Sequence, residues 1–183
     1  MYYCLVHYPD IDIEKIQGIR KKYDPTFRLI NPHITLVFPT PNIVNEPQLI
    51  KHIREVLGSW RIFNIHLSGF RKSWDNWLFL NVAEGASEIS KLHAELYTGM
   101  LRPFLREDIP FTPHVSLGLF TIDAYNLKDP KQAKFDEDGY KKALTEAEGL
   151  NMNYISKLNK LTLIKLDNNL AKIIESESFP LLS

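Results

Sequence analysis

The chain has 183 residues, 44% of them apolar, with 22 basic residues against 22 acidic ones and a formal net charge of zero. That length and apolar content suit a globular fold with a sizeable core, and the balanced charge excludes the broad basic footprint used to hold duplex DNA. A single cysteine, Cys4, excludes an intrachain disulfide framework. The opening MYYCLVHYPD lacks a basic leader and no segment approaches membrane-spanning length, so a soluble cytoplasmic protein is the expectation.

Tyr2 to Tyr8, aromatic and β-branched and stopped by Pro9, reads as a strand. Asp10 to Lys22 sets Ile11, Ile16 and Ile19 at helical spacing. His33 to Phe38 is a short strand closed by Pro39 and Pro41. Asn45 to Leu57 is a helix with Pro47 in its first turn, one face of Leu49, Ile53, Val56 and Leu57, and Gly58 past its end. Arg61 to Phe70 and Trp77 to Val82 are two strands around the turn SWDN. Gly85 to Leu101 is helical, with Ile89, Leu92, Leu96 and Met100 inward. Val115 to Phe120 is a strand, and the polar segment from Asp123 ends in a helix with Asp136, Glu137 and Asp138 at its positive end and Gly149 at C′. KLTLIKLD and LAKIIES form a closing hairpin around DNN. Strand pairs joined by short turns predict an α+β fold with antiparallel sheets rather than a doubly wound parallel one.

One internal echo stands out: NPHITL at Asn31 to Leu36 and TPHVSL at Thr112 to Leu117. Residues i and i+2 of a strand share a face, so His33 projects with Thr35 and His114 with Ser116, while Ile34, Leu36, Val115 and Leu117 point the other way. Pro32 and Pro113 restrict the backbone ahead of each imidazole. A single such strand is ordinarily a half-buried histidine beside a hydroxyl. Two in one small chain predict one site with two proton-transfer groups and two phosphate-holding hydroxyls. One neutral histidine would take a proton from the attacking water and a protonated one would give a proton to the leaving oxygen. Thr35 and Ser116 would donate to the non-bridging oxygens.

The paired motif resembles the His-x-(Thr/Ser)-apolar signature of the two-histidine (2H) phosphoesterase superfamily, which includes 2′,3′-cyclic phosphodiesterases and the proteins called 2′-5′ RNA ligases. His33, Thr35, His114 and Ser116 match it position by position. The resemblance implies a bilobal, pseudo-twofold fold of two antiparallel sheets with flanking helices around a central cleft. Residues 1–183 would form one domain of two intertwined lobes, with the N- and C-terminal strands sharing a lobe. One departure stands at Leu119, where many relatives carry an arginine after the second motif. A second is the charged stretch NLKDPKQAKFDEDG, expected to reshape the cleft mouth.

Outside the motifs, Arg71, Lys72 and Trp74 on the hairpin tip are candidate substrate contacts, the indole stacking on a base and a cation meeting a phosphate, set against solvated turn residues. Trp77 is expected to begin a core strand, and Phe38 to pack in the core rather than wall the cleft. His52 and His93 lack a helical partner for metal binding, His66 faces the polar side of its strand, and His7 would reach the cleft only if its strand lies beside it. Cys4 is expected buried and inert. The reading is a cofactor-free, metal-independent, monomeric cyclic phosphodiesterase of RNA processing. Its partner would be a cyclic nucleotide or an RNA end bearing a 2′,3′-cyclic phosphate. A non-catalytic nucleotide-phosphate binding module or a 2′-5′ RNA ligase is the alternative.

Overall fold

The structure, a computed structural model, describes residues 1–41, 45–122 and 133–183. Its strands are β1 (Tyr2–His7), β2 (Ile34–Pro41), β3 (Phe63–Lys72), β4 (Trp77–Glu84), β5 (His114–Leu119), β6 (Asn153–Leu158), β7 (Lys160–Leu166) and β8 (Ile173–Pro180). Helix α1 spans Glu14–Tyr23, α2 Glu46–Leu57, α3 Ala86–Leu96 and α4 Glu137–Gly149. The strands form two four-stranded antiparallel sheets, ordered β2-β1-β7-β8 and β5-β4-β3-β6. The N- and C-terminal strands share the first sheet, as the predicted architecture requires.

Strand–helix–strand units build the two halves in the same way. β1-α1-β2 leaves β2 at a sheet edge, and β4-α3-β5 leaves β5 at the edge of the other sheet. The helices cross over: α1 packs on β5 and α3 packs on β2. Gly118 of β5 permits the first contact, since a Cβ there would lie 2.6 Å from the Tyr23 Cβ. His93 and Tyr97 make the second. The His93 ring donates through Nδ1 to the Leu36 carbonyl at 2.7 Å, and the Tyr97 hydroxyl accepts from the Phe38 amide at 2.9 Å. One core runs through both sheets, with Leu5, Ile34 and Leu36 from the first and Leu67, Leu80, Val115 and Leu117 from the second.

Several boundaries differ from the sequence-based expectation. α1 begins at Glu14, where Asp12 Oδ1 accepts the Glu14 amide at 3.0 Å, rather than at Asp10. β2 continues through Pro39 to Pro41, because an edge strand tolerates missing donors. The predicted helix over 85–101 splits: Gly85 stands before α3 with φ 81°, α3 ends at Leu96, and Gly99, with φ 53°, opens a 3-10 turn through Phe104 that contains Pro103. Gly149 is the last helical residue of α4, and Asn151, with φ 49°, takes the left-handed position beyond it. Asp136 does cap that helix, accepting the Gly139 amide at 3.0 Å. The closing hairpin holds, but its turn runs over Asp167–Lys172, and β8 starts at Ile173 and extends to Pro180. β6 was not expected, because its pattern is inverted: Ser156 and Leu158 are buried while Ile155 is 78% exposed.

Among the described residues no helix is long and apolar enough to cross a membrane. Of the charged stretch expected to reshape the cleft mouth, residues 126–132 lie outside the described residues.

Candidate active site

Both motif strands lie at sheet edges, and β2 and β5 are in contact with one another. Their burial patterns are identical. Pro32, Ile34 and Leu36 are buried while His33 and Thr35 are half-buried, and Pro113, Val115 and Leu117 are buried while His114 and Ser116 are half-buried. Burial of the alternate apolar positions thus forces each imidazole and hydroxyl pair to the opposite face.

Each ring is fixed in the same way. His33 Nδ1 lies 2.8 Å from the Asn31 carbonyl, and His114 Nδ1 lies 2.6 Å from the Thr112 carbonyl. A carbonyl only accepts, so each Nδ1 carries the proton, and in the neutral ring the Nε2 lone pair is left available. His114 is stacked on Phe79 at 3.4 Å between centroids and 18° between planes. Tyr8 lies edge-on to His33 at 6.2 Å.

Burial pushes the His33 imidazole down to about 4. Its hydrogen bond to the Asn31 carbonyl opposes that shift, and the nearby Arg20 cation and Asp24 carboxylate pull in opposite directions. Burial likewise pushes His114 down to about 4 against its bond to Thr112, and a charge on His33 lowers it further. His114 therefore senses the charge state of His33. Both are neutral near pH 7.

A cleft of about 400 Å³ is lined by Thr35, His114 and Ser116 together with Arg71, Lys72 and Trp74. His33 stands beside this lining rather than within it. Arg71 and Lys72 are the exposed last residues of β3, and Trp74 is 42% exposed in the hairpin turn. Lys72 is engaged, its Nζ 3.0 Å from Asn76 Oδ1 and 4.3 Å above the Phe135 ring. Arg71 is opposite Phe79, which is opposite Ser116, so all three sit in one cross-strand row. Trp77 does open a strand, but it lines the cleft.

Phe38 corrects its sequence-based reading. It is 39% exposed and walls the cleft instead of packing in the core. Edge-on to it at 6.4 Å is Phe111, itself stacked on His93 at 3.6 Å. Sequence reasoning missed Phe79, Phe111, Ile109 and Pro110 in this wall; for the last three the apolar run just ahead of the second motif was the signal available. Leu119 lines a separate depression with Tyr23 and Pro25 and does not line the cleft.

The remaining histidines are structural. His7 is fully buried with Nδ1 donating to the Lys160 carbonyl at 2.9 Å, and it does not line the cleft. His52 Nε2 donates to the Leu96 carbonyl, and His66 Nε2 lies 2.7 Å from Asn153 Oδ1. Cys4 is buried and its thiol is pushed up to about 12 by burial, which keeps it unreactive. Among the described residues no three of His, Cys, Asp and Glu are grouped as metal ligands would be.

Two antiparallel sheets that bring one His-x-(Thr/Ser) edge strand each to a common cleft define the two-histidine phosphoesterase class. The sequence over residues 8–152 matches the 2′-5′ RNA ligase superfamily, and the chain belongs to it. Among its relatives, a Bacillus licheniformis protein named "Putative phosphoesterase" is 30% identical over 123 residues, 64% of this chain and 70% of that protein. A Bacillus cereus protein of the same name is 32% identical over 61% of this chain, and the match spans 64% of that relative's length. Among solved structures, Escherichia coli LigT in apo form covers 100% of this chain and 98% of its own, with a TM-score of 0.58 at 17% identity. TT0787 of Thermus thermophilus covers 97% of both chains, with a TM-score of 0.57 at 15% identity. These structural likenesses carry the fold.

Proposed function

We propose that the chain is a phosphodiesterase that opens 2′,3′-cyclic phosphates at RNA ends or on small nucleotides. The observation that carries this reading is the matched pair of imidazoles, each locked through Nδ1 to a main-chain carbonyl, on two adjoining edge strands. A neutral ring takes a proton from water through Nε2 as the water oxygen bonds to phosphorus. The other ring, protonated, gives its proton to the ribose oxygen as the phosphorus–oxygen bond breaks. The rings finish with exchanged protonation states, and exchange with solvent resets them. Thr35 and Ser116 donate to the non-bridging oxygens, where charge must be held. No step of this chemistry calls on a metal or cofactor.

Arg71, Lys72 and Trp74, with Phe38 and Phe111 across the cleft, are candidate contacts for the rest of a nucleotide. Aromatic walls with a guanidinium suit a base and a phosphate. E. coli LigT has been crystallised with 3′-AMP, and this supports a nucleotide as the ligand here.

The test is turnover of 2′,3′-cyclic nucleotides in the presence of chelator by the native chain and by His33→Gln and His114→Gln. Each variant should lose a hundredfold or more, on the order of a general acid or base contribution. Full activity in either variant rejects the paired mechanism. Loss of native activity on adding chelator rejects its independence of metal.

A further inference from the structure

The motif histidines are held alike at Nδ1, yet their surroundings are not alike. Behind His33 lies Arg20, the largest fully buried side chain, 1% exposed. Its Nε donates to Asp24 Oδ2 at 2.7 Å, Nη1 to Gln17 Oε1 at 2.9 Å and Nη2 to the Ile30 carbonyl at 2.8 Å. Asp24 Oδ1 in turn accepts from the amide and the hydroxyl of Thr26, both at 2.7 Å. The end of α1 is thereby tied to both ends of the loop that leads to Asn31, whose carbonyl accepts from His33 Nδ1. Among the described ion pairs it alone has both side chains buried, at 1% and 0% exposure. A buried pair contributes little net stability once both charges are desolvated, so its presence calls for another role. The described ion pairs just ahead of the Thr112 carbonyl that holds His114, Arg102–Glu107 and Arg106–Asp108, are by contrast exposed.

We propose that Arg20 and Asp24 are positioning residues for His33, clamping the 24–31 loop so that the Asn31 carbonyl fixes that ring and giving His33 an electrostatic setting that His114 lacks. This rests on the reading of His33 as a proton-transfer group. Among the described residues, the charged and titratable groups facing His33 are Arg20 and Asp24 from α1 and its end, Tyr8 from β1 and His114 from β5. Of these, Arg20 disfavours the imidazolium and Asp24 favours it. The clamp acts through the ring and does not touch substrate.

Two variants of the full chain test it, read by NMR titration of ¹⁵N-labelled histidine rings alongside cyclic-nucleotide turnover. Arg20→Lys retains the cation but replaces the planar fork with a point charge. It should lower kcat at least tenfold with KM within twofold, leaving both titration midpoints in place. The double variant Arg20→Met/Asp24→Asn removes both charges and leaves no unpaired buried ion. It should lower kcat similarly and move the His33 midpoint upward, with His114 moving far less and only through its coupling to His33. Folded variants with native kcat and an unmoved His33 midpoint overturn the proposal. If Arg20→Lys does not fold, the double variant decides by the same two readouts. A native chain that turns over no cyclic phosphate rejects the functional reading instead, and the His33 midpoint in the double variant still decides the positioning role.

Discussion

Anion binding in the cleft should depend steeply on pH, even for an anion that does not itself titrate. Burial holds both His33 and His114 down at about 4, and charge on His33 disfavours charge on His114. At pH 7 a given ring is therefore protonated in about one molecule in a thousand. An anionic charge about 4 Å from an imidazolium gains on the order of 4 kcal/mol at an effective dielectric of about 20. That is about a thousandfold in proton affinity, enough to restore one imidazolium once a phosphate-like group is seated. The substrate thus brings the general acid into being, and binding takes up a proton. Sulfate is a suitable probe because it stays a dianion throughout. Its apparent Kd should rise about tenfold per pH unit between about pH 5 and about pH 7. Fluorescence of Trp74 and Trp77, which line the cleft, can follow it. Calorimetry in buffers of different ionisation enthalpy should report about one proton taken up per sulfate. A Kd constant within twofold over that range, without proton uptake, refutes the account.

Three other outcomes follow from the same structure. Phe38→Ala should raise KM for a cyclic nucleotide about tenfold or more with kcat nearly unchanged, since base stacking on an aromatic is worth about 1–3 kcal/mol and the side chain is 39% exposed on the cleft; steady-state kinetics check this. Gly118→Ala should destabilise the fold by about 1–3 kcal/mol through overpacking, because the new Cβ would lie 2.6 Å from Tyr23 Cβ and 3.0 Å from the Phe120 ring; denaturant unfolding measures it. Stability should fall as pH drops from about 6.5 toward 4. The fold depresses the His33 and His114 values to about 4 and lowers that of His7, so the unfolded chain binds more protons across that window. The stabilisation is complete above it and is lost by about 3 kcal/mol for each of His33 and His114 on descending through it. Urea midpoints at pH 7 and pH 4.5 check the sign, and saturating sulfate should blunt the loss.

The site's chemical groups were legible because they obey a period of two: alternate buried positions in ITL and VSL leave His33, Thr35, His114 and Ser116 no other face. The terminal strands were legible from their runs of aromatic and aliphatic residues. β6 was hidden because Ile155 points to solvent and Ser156 to the core, where it lies 3.1 Å from the Asp10 amide; a local pattern cannot report a distant partner. The break after Leu96 was hidden because apolar spacing continues through Met100, while Gly99 and Pro103 set the backbone. Phe38 was misread for a related reason. A phenylalanine ending an apolar strand normally packs inside, and only the arrival of Phe111 from 73 positions later makes its surroundings a cleft wall.

The crossed helices explain why two edge strands can serve as one rigid site. An edge strand has neighbours on one side only, so its position depends on what packs behind it. Here β5 rests on α1 through Tyr23 and Gly118, and β2 rests on α3 through His93, Tyr97 and the Leu36 carbonyl. Each half of the molecule thus supplies the backing for the other half's histidine strand. The helix that backs β5 also carries Arg20, whose bonds hold the loop in front of His33. The same ten-residue helix therefore touches both halves of the proposed site. A change on its buried face, such as Ile16→Ala or Ile19→Ala, removes side chains that are 0% and 2% exposed and should cost about 2–5 kcal/mol in stability. If α1 couples the two strands, either change should also lower kcat beyond what its unfolded fraction accounts for. An equally destabilising change at the sheet edge opposite β5, Leu158→Ala on β6, should leave kcat per folded molecule intact.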